Sequence, residues 1–281
     1  MATFDHAPVL TVLGAGGMGL ATARRIGSGH RVLLADFDED VLAAATERLR
    51  DEGFEVTAQR VDVSVRAEVR ALADRAAELG PVAAVVHTAG LSPEQASADA
   101  VLAVDLVGVA LVLDEFARVV AAGGAGVIIA SMAGHLPSGT PDPERDAALM
   151  RAPAEDLPDL PAADSAVRTE AGAAYAFAKR ANLLRVQAAA AAWGERGARV
   201  NSISPGIIST AMGRQELAGD SGGHMRAMID ASPTGRAGTP HDIAGAAEFL
   251  LSPAAGFITG NDLLVDGGVV AAVRAQYAGD G

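Results

Sequence analysis

The segment Tyr175-Ala176-Phe177-Ala178-Lys179 sets a phenol and an ammonium four residues apart in an alanine-rich stretch that reads as helix. At that spacing the two side chains project from one helical face. A free tyrosine, with a pKa of about 10, is too basic as phenolate and too rarely ionised to serve as a general base at neutral pH. Bringing it toward about 7 takes roughly 4 kcal/mol, since one pKa unit corresponds to about 1.4 kcal/mol. A unit charge about 4 Å away contributes about that much at an effective dielectric of about 20. The expectation is therefore a Tyr175 whose pKa is lowered by Lys179. Alone, Tyr-x-x-x-Lys is a weak signal, because these residue types often meet at that spacing by chance. A serine, Ser131, stands upstream at the end of Gly126-Val-Ile-Ile-Ala130, an apolar β-branched run that reads as a strand.

The context that gives the pair meaning lies near the N-terminus. Pro8-Val-Leu-Thr-Val-Leu13 reads as a buried strand, and Leu20-Ala-Thr-Ala-Arg-Arg-Ile26 as a helix. Between them runs Gly14-Ala15-Gly16-Gly17-Met18-Gly19, a G-x-G-x-x-G between strand and helix, which is the setting the motif needs to signal dinucleotide binding. The glycines allow a tight turn and let backbone N–H groups approach a pyrophosphate at the positive end of the helix. The alternative is a glycine-rich turn with no ligand. A second strand, His30-Arg-Val-Leu-Leu-Ala35, ends in Asp36, followed by Phe37. An acid about 20 residues beyond the glycines is placed to accept hydrogen bonds from a ribose. Its charge would repel a 2′-phosphate, so NAD is expected over NADP. Arg24 and Arg25 could turn toward such a phosphate, but their expected place is the solvated side of the first helix.

Of 281 residues, 50% are hydrophobic, enough for a sizeable core. No apolar run approaches the roughly 18 residues of a membrane span; the longest, residues 101–113, is interrupted by Asp105. Asp5 and His6 run directly into the first strand, so no secretory signal is expected. The absence of cysteine excludes disulfide and thiol chemistry and suits a cytoplasmic protein. A net charge of −13 argues against binding a nucleic-acid backbone and reads as solubility. No metal site and no membrane or nucleic-acid partner are expected.

Along the rest of the chain strands and helices alternate. Strands are expected at 53–60, 81–86, 126–130, 198–203 and 262–265, and helices at about 65–79, 93–121, 175–193 and 240–251. With no repeat and no domain break, this is an α/β doubly wound parallel sheet in one domain, residues 1–281. In such sheets ligands bind beyond the carboxyl ends of the strands. The glycine loop, Asp36, Asp62, Ala89-Gly90, Ser131 and Pro205-Gly206 all fall at those ends.

These residues, together with Asp62-Val63, Ser131-Met-Ala-Gly134, Arg199-Val-Asn201, Thr210, Gly235-Arg236 and Asp266-Gly-Gly268, resemble the short-chain dehydrogenase/reductase family over nearly the whole chain. The resemblance implies a Rossmann-type domain with a seven-stranded parallel sheet, assembled as a tetramer or dimer, that moves a hydride between NAD(P) and a secondary alcohol or ketone. By position it implies that Tyr175 is the general acid/base and that Lys179 lowers its pKa and holds the nicotinamide ribose. Ser131 then hydrogen-bonds the substrate oxygen. It also implies that Asp62 and Val63 contact adenine, that Ala89 and Gly90 contact the adenosine side, and that Pro205, Gly206, Ile208 and Thr210 lie at the nicotinamide end.

Four departures from the family pattern stand out. The loop lacks the usual Thr-Gly start and is one residue tighter between its first and last glycines. The usual Asn-Asn-Ala-Gly is His87-Thr88-Ala89-Gly90, where His87 reads as packed at a strand end rather than as a ligand contact. The family asparagine that holds a water on the lysine side is Asp105, an added negative charge expected to stabilise the ammonium of Lys179 and alter pH dependence. Finally, 44 positions separate Ser131 from Tyr175, against about 13 in the family. The extra segment, about residues 136–170, holds six prolines and is expected to act as a lid over the substrate mouth, with a short helix around 144–151 carrying Leu149 and Met150 above the substrate. That favours an apolar or cyclic alcohol; the alternative is a solvated surface loop. Two other functions stay open on the same fold: a non-catalytic NAD(P)-binding sensor, and an epimerase or dehydratase of sugar nucleotides.

Overall fold

The computed structural model describes residues 7–94, 96–136, 142–160 and 163–279. In chain order the elements are β1 (Val9–Leu13), α1 (Gly17–Ile26), β2 (Arg31–Asp36), α2 (Glu39–Asp51), β3 (Glu55–Arg60), α3 (Arg66–Leu79) and β4 (Val82–His87). There follow α4 (Ala98–Val101), a π-helical segment (Leu102–Gly108), α5 (Val109–Ala117), β5 (Val120–Ile129), α6 (Pro143–Arg151), α7 (Ser165–Thr169) and α8 (Ala171–Glu195). The chain closes with β6 (Arg199–Pro205), α9 (Ala211–Ala218), α10 (Gly222–Ala231), α11 (Pro240–Leu251), β7 (Asp262–Val265) and α12 (Val269–Gly279). The seven strands form one parallel sheet in the order β3-β2-β1-β4-β5-β6-β7.

The strands β1, β2 and β4 are almost continuously apolar and buried, as a parallel sheet covered on both faces requires. Val9, Leu13, Leu33, Val85 and Ile128 face α3, α5 and α8, while Leu10, Val12, Val32 and Leu34 face the opposite way, toward α1 and α2. The chain winds outward from β1 to β3, then returns to β4 on the other side of β1. A crevice opens where that order reverses, just beyond Leu13 and His87. Its floor is tied across the reversal: Thr88 N and Ala89 N both donate to Leu13 O, at 2.7 and 3.0 Å.

Two expectations need correction. The helix expected over 93–121 starts at Ala98, where Ser97 caps it by accepting from Ala100 N, and its middle widens into the π segment. It ends by Ala117, and β5 already begins at Val120. The 136–170 insertion is the second case. Its described part packs along α8, α4 and the π segment. Leu149, expected to face substrate, is 1% exposed within the core that α8 shares. The cause is Arg185 on α8, which donates to the carbonyls ending α6: Ala152 O at 2.6 Å, Met150 O at 3.3 Å and Leu149 O at 3.4 Å. The guanidinium satisfies carbonyls that a helix C-terminus leaves open and is itself buried in doing so. Arg66 joins Glu155 of the insertion to Glu115 and Asp114 of α5, and Arg180 joins Asp146 to α8. Residues 137–141 and 161–162, also part of the expected lid, lie outside the described residues.

At the far end of α8, Trp193 is buried against Gly126 of β5 and donates from Nε1 to Leu113 O at 3.1 Å. A Cβ on Gly126 would lie 2.6 Å from the indole, so only glycine lets the ring onto the sheet. Among the described residues no helix is long and apolar enough to cross a membrane.

Arg185→Ala should cost about 2–3 kcal/mol of stability, the scale of hydrogen bonds from a charged donor to groups then left buried. Chemical denaturation measures this, and hydrogen exchange should localise the loosening to residues 143–160. An unchanged midpoint would show that the insertion is held by other contacts.

Candidate active site

The glycine loop closes on itself. Gly14 has φ +100°, and a Cβ there would lie 2.4 Å from Thr88 Oγ1. A Cβ on Gly19 would lie 1.8 Å from Gly14 O, so α1 can seat on the loop only because that position is glycine. Gly16 caps α1 without any side-chain hydrogen bond, and the first helical bond is Leu20 N to Gly16 O. The N–H groups of the first turn thus remain open at the positive end of the helix, beside a position with free space. These are the attributes of a pyrophosphate cradle. Asp36 supports the loop, its Oδ2 accepting from Ala15 N at 2.7 Å and its Oδ1 from Asp38 N at 3.0 Å. Each oxygen keeps a lone pair for a ribose hydroxyl. Asp62 Oδ1 is held by Ser64 N and Oγ, and Val63 packs against Gly108. Thr210 caps α9 and lies against Gly17, where a Cβ would stand 3.2 Å from its methyl carbon. Ile208 pairs with Gly238 beyond β6, and Gly206 abuts Asp266 too closely to carry a Cβ. The residues expected at the nicotinamide end therefore border the same crevice as the glycine loop.

Arg24 and Arg25 are both committed away from it. Arg24 holds Glu52 at 2.7 Å, and Arg25 holds Glu248 at 2.8 Å. A third arginine escaped the sequence reading: Arg60, level with Asp36 in the sheet, lies over the Phe37 ring at 4.6 Å and pairs with Glu68 at 2.9 Å.

Ser131, Tyr175 and Lys179 come together despite their separation in sequence. Ser131 lies two residues beyond β5 and caps a 3₁₀ turn, accepting from Ala133 N. Three residues after Ser131, Gly134 rests on the backbone of α8, where a Cβ would be 2.8 Å from Lys179 O. This close seat brings Ser131 beside Tyr175, near enough for its hydroxyl to lower the phenol pKa. Lys179 Nζ lies 5.2 Å from the centre of the Tyr175 ring and 3.7 Å from Asp105 Oδ2. Asp105 is fully buried, and its Oδ1 accepts from Leu91 N at 2.9 Å. Gly90 makes the room, since a Cβ there would lie 2.9 Å from Asp105 Oδ1 and 3.5 Å from Lys179 Nζ.

The electrostatics differ from the expectation in one respect. Burial pushes the Tyr175 phenol up; Lys179 pulls it down, Asp105 pushes it up, Ser131 lowers it and Glu216 raises it, with a net upward result. The lysine is present as expected, yet its charge is shared with an aspartate and opposed by burial. Burial alone would lower Lys179, but Asp105 and Tyr175 outweigh it and hold the ammonium form. Burial raises the Asp105 carboxyl. His87 is fully enclosed, with neither ring nitrogen hydrogen-bonded, and burial followed by the Lys179 charge lowers it to about 3. It is a neutral packed histidine, as its strand-end position suggested.

The sequence reading missed the far wall of this cleft, α9 and α10, and the residues that bind it. Ser92 Oγ donates to Glu216 Oε1 at 2.6 Å, and Ser221 Oγ to Glu94 Oε1. No spacing rule links residues so far apart.

Comparison with known proteins agrees with the geometry. The family profile described as short chain dehydrogenase matches residues 8–140, and that described as enoyl-(acyl carrier protein) reductase matches residues 162–270. The short-chain dehydrogenase/reductase bsc3 of Alternaria brassicicola is 39% identical over 93% of this chain and 95% of its own length. Galactitol 2-dehydrogenase (L-tagatose-forming) of Cereibacter sphaeroides is 32% identical, covering 92% of each chain. A solved short-chain type dehydrogenase/reductase from Mycobacterium ulcerans superimposes with a TM-score of 0.75 at 25% identity, over 95% of this chain and 90% of that one. By these matches the chain belongs to the short-chain dehydrogenase/reductase family and is an NAD(P)-dependent oxidoreductase acting on hydroxyl groups.

Proposed function

We propose that the protein interconverts a secondary alcohol and a ketone with NAD in preference to NADP, and that Tyr175 is the proton-transfer group. The observation that carries this reading is the meeting of Ser131, Tyr175 and Lys179 at the crevice bounded by the glycine loop. A bound nicotinamide dinucleotide would supply the hydride acceptor or donor. Ser131 orients the substrate oxygen, and Tyr175 takes its proton in oxidation or returns it in reduction. Lys179, kept as ammonium by Asp105, favours the phenolate and would hydrogen-bond the ribose of a bound cofactor. Asp36 would accept from the ribose hydroxyls, Asp62 and Val63 would border the adenine, and Ala89, Gly90, Pro205, Gly206, Ile208 and Thr210 would line its remaining length. The apolar or cyclic substrate inferred from Leu149 loses the support of that side chain, which is in the core; relatives named for galactitol and for cis-4-hydroxycyclohexanecarboxylate support a polyol and a cyclic alcohol alike. Assembly as a dimer or tetramer belongs to the same reading, and light scattering of the purified protein checks it.

Tyr175→Phe should lower turnover by about 10²–10⁴-fold, the usual worth of positioned proton transfer, while cofactor affinity stays near wild type. Lys179→Ala should impair both. Steady-state kinetics with cofactor titration decides, and near-normal turnover in Tyr175→Phe would overturn the assignment.

Asp105→Asn removes a charge that raises the phenol, so the Tyr175 pKa should fall. For alcohol oxidation, which needs the phenolate, the rising limb of kcat/KM against pH should then move to lower pH. A superimposable profile would show that Asp105 does not act on the phenol.

NAD should be preferred to NADP by on the order of tenfold or more in kcat/KM, because a 2′-phosphate would face the Asp36 carboxylate. The competing outcome, a preference for NADP, would assign the phosphate to Arg60 freed from Glu68.

A further inference from the structure

Four residues beyond Ser131, His135 closes the 3₁₀ turn that the serine opens. The turn is tied to the serine twice: Ala133 N donates to Ser131 Oγ at 3.2 Å, and Gly134 N to Ser131 O at 3.0 Å. At its far end, His135 Nε2 lies 2.7 Å from Asp262 Oδ2 and 3.2 Å from Ser204 Oγ. A carboxylate only accepts, so Nε2 carries the proton and donates to Asp262. That carboxylate is held from its other side, where Oδ1 accepts from Ser202 Oγ at 2.5 Å and Ser204 Oγ at 3.0 Å. Both serines are fully buried on β6. The His135 carbonyl takes a further bond from Arg274 of α12 at 3.0 Å. Just before the turn, Ala130 N donates to Ile203 O at 2.8 Å. The segment that carries Ser131 is therefore pinned to β6 at its start, and to β7 and α12 at its end.

Ser204, His135 and Asp262 are the residue types of a hydrolytic triad, but their geometry is not that of one. A triad uses one ring nitrogen for the acid and the other for the serine. Here the single nitrogen Nε2 meets both, and the Ser204 proton already goes to Asp262. The cluster fixes the imidazole and activates no nucleophile. A carboxylate and two hydroxyls are also a costly way to fill space in a sheet, where apolar side chains would pack at least as stably; what they add is direction. Direction is needed at this place, because 44 positions separate Ser131 from Tyr175 and no short connection to α8 can aim the turn.

We propose that His135, locked by Asp262, is a positioning residue that aims the Ser131 hydroxyl at the substrate oxygen. The inference rests on the alcohol–ketone reading above for the role of Ser131, and adds the groups that hold the hydroxyl in place.

Two variants separate the donor from the bulk of the ring. His135→Leu removes the N–H, whereas His135→Gln can set an amide N–H where Nε2 stands. On a panel of secondary alcohols with NAD, His135→Leu should lower kcat about tenfold or more, since a misplacement of about 1 Å can cost about a hundredfold. The KM for NAD should stay near wild type, and His135→Gln should recover most of the loss. In a Ser131→Ala background the same His135→Leu change should cost no more than about twofold, the mark of two residues acting as one unit. A second measurement needs no turnover. The Ala133 N–H is bonded to Ser131 Oγ, so its hydrogen exchange reads the placement of the serine directly. Exchange there should quicken about tenfold in His135→Leu and stay near wild type in His135→Gln, at matched distance from the denaturation midpoint. If His135→Leu does not fold, His135→Asn, one methylene shorter than the glutamine, replaces it; where Ser131→Ala is too slow to time, exchange alone decides. Quickened exchange in a protein that oxidises no alcohol of the panel refutes the alcohol reading and leaves the clamp standing. Unchanged exchange in His135→Leu, or a loss of turnover that persists undiminished in the Ser131→Ala background, overturns the role of His135.

Discussion

The buried ion pair of Lys179 and Asp105 is the constraint around which the site is arranged. Removing two charges from water costs several kcal/mol each unless they are matched and their remaining hydrogen-bond capacity is met. Here the match requires three pieces of backbone to converge. The π segment must aim Asp105 inward, helix α8 must present Lys179 opposite it, and the chain after β4 must pass between them without a side chain. Gly90 meets the last condition; Leu91 N satisfies Oδ1 at 2.9 Å, and Oδ2 faces the Lys179 ammonium at 3.7 Å without a hydrogen bond. A π-helical turn is rare, occurs mostly as a bulge within an α-helix, and is frequent at functional sites. Its presence at Asp105 fits a site that selects side-chain direction over helical regularity.

Most of the fold could be read directly because it depends on local pattern. Apolar runs ending at glycine or acid marked the strands, and strand–helix alternation implied the parallel sheet, whose order β3-β2-β1-β4-β5-β6-β7 then placed every strand-end motif on one edge. The pairing of Tyr175 with Lys179 was legible for the same reason, being a matter of helical period. Ser131 was harder, since the insertion breaks the usual spacing; what joins it to Tyr175 is Gly134 lying flat on α8, a contact made by the absence of an atom.

Features governed by burial or by distant partners were not legible. The direction of the Tyr175 shift is the clearest case, because helical spacing gives the proximity of a charge but not the depth of the phenol or the presence of Asp105 and Glu216. The place of Leu149 was not legible for a related reason. A segment joining two catalytic elements suggested side chains over the substrate, but Leu149, Ala154 and Leu157 are all buried, and Arg185, 36 residues beyond Leu149, gathers the carbonyls at the end of α6. Nothing in the composition of 136–170 announces an arginine elsewhere that will accept it.

Helix α8 carries chemistry at one end and an anchor at the other. Tyr175 lies near its start, and Trp193 near its finish, seated on Gly126. At about 1.5 Å per residue, the two are separated by about 27 Å of continuous helix. Such a rod transmits angle: a tilt of about 2° at the tryptophan displaces the far end by about 1 Å, a shift that can lower turnover about a hundredfold when it misaligns reacting groups. The glycine under the indole is thus a sighting point for the phenol, and the precision of the reaction is set in part at a position no substrate approaches.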